Sequence, residues 1–302
     1  MSMKELIKTA NKEYFLPGNS ACPGCGLELA LRWALKALGQ KTIIVAPASC
    51  TNVIIGLYPK AAPAVPHVNM AFAAGCAAAS GIRTALKARG IDDITVMCWS
   101  GDGGAYDIGL QSSSGAAERN DDILYVCYDN EAYMNTGTQR SGGTPYGAWT
   151  TTTPEGKEKH KKDLPGIMAA HKIPYVATAS VGHIKDLYDK FEKAKNIKGF
   201  RFIHILAPCP PGWRYETDLT LEIARNAVQS GMWILYEIEN GNLKLSPPSK
   251  SKLKKENRTP IKDYVKKQGR FSKTSDEDIQ ELQRWVDLNW DRLEKQLACN
   301  LD

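Results

Sequence analysis

No apolar run in the 302 residues approaches the ~20 that a membrane-spanning helix needs. The opening stretch MSMKELIKTANKEY also lacks the apolar segment of a secretory signal. Together these absences make a soluble, cytoplasmic protein with no membrane contact the expectation. No internal repeat is visible, which excludes a solenoid or propeller built from copies of one unit. No CxxCxxC repeat occurs, so a string of ferredoxin-like clusters is not expected on this polypeptide. Neither an aromatic-studded sheet nor a pair of DNA-reading helices accompanies the most basic stretch, so no nucleic-acid partner is expected.

What is present is an ordinary globular mix, 43% hydrophobic and 24% charged, long enough for one large domain or two smaller ones. The net charge of +6 is uneven. Ten of the Lys and Arg residues fall between Lys250 and Lys273, against two acids, Glu256 and Asp263. That run reads as a solvated extension lying on a partner subunit. The chain carries 8 cysteines. In a reducing compartment a close pair such as Cys22 and Cys25, in CPGCG, ligates a metal or a cluster in preference to forming a disulfide. Cys76 lies in an Ala-rich helical stretch and Cys98 and Cys127 lie inside strand-like runs, so these three read as core thiols. Cys299, near the end, reads as inert. Zinc and an iron–sulfur cluster both remain open for the others.

Five short runs read as strands buried on both faces: 41–49, 93–100, 122–129, 174–180 and 201–208. Helical spacing marks 27–38, 70–88, 105–119, 183–196 and 220–231 between and after them. The alternation predicts an α/β domain over 1–240 with a doubly wound, mostly parallel sheet. Residues 241–302 read as a C-terminal extension. It comprises an exposed arm at 246–260 and a helix over 276–298, capped by Ser275 with Asp278 and striped by Ile279, Leu282, Val286, Trp290, Leu293 and Leu297. That stripe must bury against its own domain or another chain.

The run WSGDGGAYDIG (99–109) follows a strand and precedes a helix. Ligands bind at such places, beyond the carboxyl end of a strand, and backbone N–H groups at the helix start favour phosphate. Gly101, Gly103 and Gly104 allow close approach of the backbone. Asp102 beside a phosphate makes sense where a divalent cation bridges them. The next strand runs into YDNEAYMNTGTQ, with 26 residues between Gly103 and Asn130. Asn130 offers the hard oxygen that Mg²⁺ requires. The bland alternative makes Asp102 and Asn130 helix caps.

GDG followed by Asn at this distance resembles the thiamine diphosphate motif of enzymes that use that cofactor. The longer string through EAYMNTGTQRSGGTPYGAWTTT resembles the β subunit of 2-oxoacid:ferredoxin oxidoreductases, the pyruvate:ferredoxin oxidoreductase group. The likeness runs from about residue 14 to about 215. It implies the thiamine-diphosphate-binding fold, with Mg²⁺ held by Asp102, Asn130 and the Ala132 carbonyl. It also implies a cofactor site that includes Cys50, Gly101, Gly103, Gly104, Tyr133 and Asn135, with Asn135 facing the reacting groups. A [4Fe–4S] cluster is implied on Cys22, Cys25, Cys50 (in APASC) and Cys209 (in APCPPGW). Glu28 gains no role from the likeness. His67, in VPHVNMAF, reads as structural.

The implied activity is oxidative decarboxylation of a 2-oxoacid, pyruvate foremost, with electrons passing to the cluster and ferredoxin and the acyl group to coenzyme A. Oxalate, which needs no coenzyme A, and branched-chain acids, 2-oxoglutarate and indolepyruvate are alternatives within the family. A cysteine-ligated zinc module without chemistry of its own is the alternative outside it. The glutamate that activates the cofactor has no matching position here. The likeness therefore implies an α subunit that completes the site, a ferredoxin-like cluster subunit and a γ subunit or domain, joined as a dimer of hetero-oligomers.

Overall fold

The computed structural model describes residues 3–57 and 59–299, with the Cys299 side chain outside the description. Helices α1 (Met3–Thr9) and α2 (Gly26–Leu38) precede β1 (Thr42–Pro47), α3 (Cys50–Ile54) and β2 (His67–Met70). Next come α4 (Gly75–Ala88), β3 (Thr95–Gly101), α5 (Leu110–Glu118), β4 (Leu124–Asp129) and α6 (Leu164–Ala170). The chain continues through β5 (Tyr175–Ser180), α7 (Ile184–Asn196), β6 (Arg201–Leu206), α8 (Pro210–Trp213) and α9 (Thr220–Gln229). It ends with β7 (Tyr236–Glu239), β8 (Asn242–Leu245), α10 (Pro247–Lys250), α11 (Ile261–Val265) and α12 (Asp276–Cys299).

The strands form one 8-stranded sheet in the order β2-β1-β3-β4-β6-β5-β7-β8. The first six in that order pair in parallel, while β7 and β8 add an antiparallel edge. Helices cover both faces. Leu31 and Leu35 of α2 and Leu187 and Phe191 of α7 fill one core with Trp99, Val126 and Ile203. Cys76, Cys98 and Cys127 lie in the opposite core with Val45 and Phe202, as inert packing thiols would. This is the doubly wound α/β architecture, with a mostly parallel sheet.

All five expected strands form, and each is buried along nearly its whole length. The Ala-rich helix starts at Gly75 instead of residue 70, because Met70 still pairs with Pro47 as the last residue of β2. Gly75 then crosses β1 so closely that a Cβ would meet Pro47 Cγ at 2.4 Å. The helix expected over 105–119 is broken in two. A π turn spans Gly103–Ile108, closed by Gly109 N–H donating to Gly104 O at 2.7 Å, and α5 follows. Such turns widen a helix and recur at functional sites.

A third core holds the last part of the chain. Leu282, Val286, Trp290 and Leu293 of α12 pack with Trp213, Ile223, Val228, Tyr264 and Phe271. Ser275 Oγ accepts from Asp278 N–H at 3.1 Å and Asp278 Oδ2 accepts from Ser275 N–H at 3.3 Å, a reciprocal cap with aspartate in the glutamate place. Residues 250–260 run mostly exposed. The basic stretch is nevertheless not wholly solvated: Arg270 is only 3% exposed, and the Arg258 side chain lies against the Trp290 ring. Among the described residues no helix is long and apolar enough to cross a membrane.

Leu282 is fully buried, whereas Leu288 on the same helix is 46% exposed. Leu282→Ala is expected to cost roughly 2–5 kcal/mol and Leu288→Ala less than about 0.5 kcal/mol. Chemical denaturation of both variants measures the contrast, and equal small effects would show that the stripe is not core.

Candidate cofactor site

Four strands adjacent in the sheet, β1, β3, β4 and β6, end on one edge. Their carboxyl ends lead into Cys50, Asp102, Asn130 and Cys209. The order of sheet growth reverses between β1 and β3, which makes this edge the crevice where open α/β sheets bind ligands. A small cleft opens there. Cys50, Gly101, Asp102, Gly103, Gly104, Asn130, Ala132, Tyr133 and Asn135 all line it. Cys22, Cys25 and Cys209 do not line it, and neither do Glu28 and His67. Gly103 serves a neighbour as well as any ligand, since a Cβ there would meet the Tyr133 ring at 2.4 Å.

Asp102 is 1% exposed. With the Asn130 amide as placed, its oxygen stands 2.9 Å from Asp102 Oδ1 and 3.0 Å from the Ala132 carbonyl oxygen. Turned by half a rotation, the amide nitrogen would instead donate to both. Three mutually facing oxygens repel unless a donor or a cation lies among them. Mg²⁺ takes oxygens at about 2.0–2.1 Å in octahedral geometry, which sets neighbouring ligand oxygens roughly 2.9 Å apart. The donor set and its spacing therefore fit Mg²⁺. Burial, and then the nearby Asp129 charge, push the Asp102 carboxyl well above the usual range, although Ser141 Oγ donates to it at 2.5 Å. A bound cation removes that penalty.

The loop that presents these oxygens is tightly braced. Glu131, between Asn130 and Ala132, has φ +65°, a left-handed backbone that costs a non-glycine residue about 1–2 kcal/mol. Every polar group of Glu131 is held. Its N–H donates to Asp129 Oδ1 at 2.9 Å, and its carbonyl accepts from Thr144 Oγ1 at 2.6 Å. Lys161 Nζ donates to its Oε1 at 2.8 Å, and Arg270 Nη2 stands 2.6 Å from its Oε2. Trp213 Nε1–H donates to the Asn130 carbonyl at 2.7 Å. Behind the loop, Asp129 accepts from Tyr106 OH at 2.9 Å and Lys161 at 3.0 Å, and pairs with His204 Nε2 at 2.9 Å. Burial raises the Asp129 pKa, but Lys161 and His204 outweigh it and hold the carboxyl well below its usual range. These bracing residues lie up to 140 positions away in the sequence from the motif they serve. The one local signal was a charged residue, Glu131, placed directly after Asn130.

The thiols sit beside this cleft. Cys25 N–H donates to Cys22 O at 3.1 Å, which closes the CPGC turn. Gly26, the next residue, lies so close to the strand end after β6 that a Cβ would meet Pro208 O at 2.7 Å. This close fit brings the turn beside Cys209. Backbone amides of Leu27 and Glu28 point at Cys25 sulfur, and that of Gly212 points at Cys209 sulfur. Burial, and then the neighbouring cysteines, push Cys50 up to about 12. Cys209 rises to about 12 for the same reasons, with Cys50, Cys25 and Cys22 all contributing. The four cysteines thus lie near enough to influence one another, with N–H donors aimed at two of the sulfurs. Among the described residues, no three His, Cys, Asp or Glu side chains form a group that could hold a single metal ion.

The family model described as "Thiamine pyrophosphate enzyme, C-terminal TPP binding domain" matches residues 50–205. The match begins at Cys50 and takes in the whole metal loop, leaving Cys22, Cys25 and Cys209 outside. The ketoisovalerate oxidoreductase subunit VorB of Pyrococcus abyssi is 50% identical, over 97% of this chain and 96% of that one. This chain belongs to the β subunits of the 2-oxoacid:ferredoxin oxidoreductases. Pyruvate synthase subunit PorB of Methanothermobacter thermautotrophicus is 46% identical, over 93% of this chain and 97% of its own. Among solved structures, the 2-oxoglutarate:ferredoxin oxidoreductase from Magnetococcus marinus matches with a TM-score of 0.58 at 22% identity, over 72% of this chain and 80% of that one. At that identity the likeness is one of fold.

Burial raises the pKa of the Asp102 carboxyl, so a cation at this site competes with a proton there and binds more tightly as pH rises. Mg²⁺ affinity, measured by equilibrium dialysis in the presence of thiamine diphosphate, should rise with pH, by up to about tenfold per unit. Asp102→Asn should weaken binding and flatten the profile. A flat profile in the unaltered protein would remove Asp102 from the ligand set.

Proposed function

We propose that the chain holds the diphosphate of thiamine diphosphate through Mg²⁺ on Asp102, Asn130 and the Ala132 carbonyl. Beside it, Cys22, Cys25, Cys50 and Cys209 hold one [4Fe–4S] cluster. The assembled enzyme oxidatively decarboxylates a 2-oxoacid, passes the electrons to ferredoxin and the acyl group to coenzyme A. The observation that carries this reading is the convergence of three oxygens in a cleft that Cys50 also lines. One residue thereby belongs to the thiol group and to the cofactor cleft at once. The relatives are named for ketoisovalerate and for pyruvate, so the proposed substrate is a small 2-oxoacid of that range.

When bound, thiamine diphosphate supplies the nucleophilic carbon and the cluster a one-electron acceptor. The chain's own part is positional and electrostatic. Gly101, Gly103 and Gly104 leave room for the diphosphate, and Asp102 with its metal neutralises it. Asn135 is exposed at the mouth of the cleft, where its amide can donate to the substrate carboxylate. Asp102 is the one carboxylate among the lining residues. It is committed to the metal, so the glutamate that activates the cofactor comes from a partner.

Purified without oxygen and with its partner subunits, the complex should contain thiamine diphosphate and iron. It should reduce a viologen dye when given ketoisovalerate or pyruvate together with coenzyme A. Turnover of oxalate without coenzyme A would reassign the substrate. The chain alone should show no turnover, and Cys209→Ser should lose iron and visible absorbance. A colourless complex holding zinc would sink the cluster, and one without thiamine diphosphate would sink the whole reading.

A further inference from the structure

We propose that Arg270 is a positioning residue for the metal loop, acting through Glu131 and Trp213; this rests on the reading of that loop as the Mg²⁺–thiamine diphosphate site. Arg270 belongs to the basic stretch 250–273, whose other charges mostly face solvent. It alone of those ten cations stands against the loop. Its guanidinium lies 3.6 Å from the centre of the Trp213 ring. Its Nη2 stands 2.6 Å from Glu131 Oε2. Neither of those two atoms makes a well-directed hydrogen bond, so the attraction between them is ionic.

Arg270 itself is fixed independently of the loop. Its Nε donates to Gln268 Oε1 at 2.9 Å, and its carbonyl accepts from Trp149 N–H at 2.8 Å. The two residues its guanidinium meets at the loop are the two that grip the Asn130–Glu131 peptide. Trp213 holds the Asn130 carbonyl from one side, and Glu131 is the left-handed residue itself. One planar cation therefore stacks on the first grip and neutralises the second. Arginine suits both tasks, because its plane stacks on an indole while its edge meets a carboxylate.

Charge balance sharpens the argument. Two buried carboxylates, Asp129 and Glu131, face two buried cations, Lys161 and Arg270, with His204 beside them. Without Arg270, Lys161 alone serves both acids. The Glu131 side chain then has reason to turn away, which leaves its left-handed backbone held only by Asp129 and Thr144. The oxygens of Asn130 and Ala132, one residue to either side, lose their common focus with Asp102.

The test measures Mg²⁺ binding in the assembled complex at saturating thiamine diphosphate, alongside the thermal midpoint. Arg270→Gln is expected to raise the Mg²⁺ dissociation constant at least tenfold. Arg270→Lys keeps the charge without the stacked plane and should lie between, three- to tenfold above the unaltered protein. Lys262→Ala, which breaks an exposed pair with Asp276 in the same segment, should leave the constant unchanged. An Arg270→Gln complex with a lowered midpoint but an unaltered Mg²⁺ constant would reduce Arg270 to a packing role. If that variant does not assemble, an unaltered constant in Arg270→Lys overturns the proposal. An unaltered protein that binds no thiamine diphosphate overturns the cofactor reading, and this proposal falls with it.

Discussion

Glu131 keeps a left-handed backbone with its N–H and carbonyl held by Asp129 and Thr144 and its two carboxylate oxygens paired separately with Lys161 and Arg270. The geometry of the site depends on that arrangement. A lone glutamate in this conformation, almost wholly buried, would relax. Held, it aims the Asn130 amide and the Ala132 carbonyl at the carboxyl of Asp102. Buried ion pairs seldom add net stability, since desolvation consumes most of the attraction. Here they specify a shape. The favourable burial comes from the three apolar cores, and the charges decide where a few oxygens point.

Trp213 ties that loop to the thiols. Its backbone N–H donates to the Cys209 carbonyl at 2.8 Å, and its indole N–H donates to the Asn130 carbonyl at 2.7 Å. The turn carrying Cys209 and the loop carrying Asn130 thus share one rigid side chain. On the opposite side of the same turn, Gly26 and Gly24 press the CPGC segment onto the chain with no room for a Cβ. Small residues and one large aromatic together compress two sequence motifs nearly 200 positions apart into one neighbourhood.

How much of this was legible follows from where each element sits. Five of the six parallel strands are buried on both faces, so each appears as an apolar run. β2 escapes notice because it is four residues long and half exposed at the sheet edge. The hairpin of β7 and β8 did carry a signal. Asn240-Gly241 sits between alternating residues, with φ of +49° and +86°, the pattern of a tight two-residue turn. Asp102 and Asn130 were legible as a spaced pair next to strand ends. Their supports were not. Arg270 lies in a basic run that reads as solvated, Lys161 lies in a stretch with no apolar signal, and burial is decided by long-range folding that no local pattern records. Trp213 was visible only as part of a Pro-Gly-Trp turn. Its hydrogen bond to residue 130 is a product of the β4–β6 pairing.

The strand order has a consequence for length. β1, β3, β4 and β6 are consecutive, so three inter-strand gaps separate the end that leads to Cys50 from the end that leads to Cys209. Hydrogen-bonded neighbours stand about 4.8 Å apart, which makes that span roughly 14 Å. Backbone hydrogen bonds do not stretch, so the sheet acts as a ruler. The spacing of the strand ends that lead to Cys50, Asp102, Asn130 and Cys209 is set by the ladder of the sheet, and side-chain changes in the cleft do not alter it.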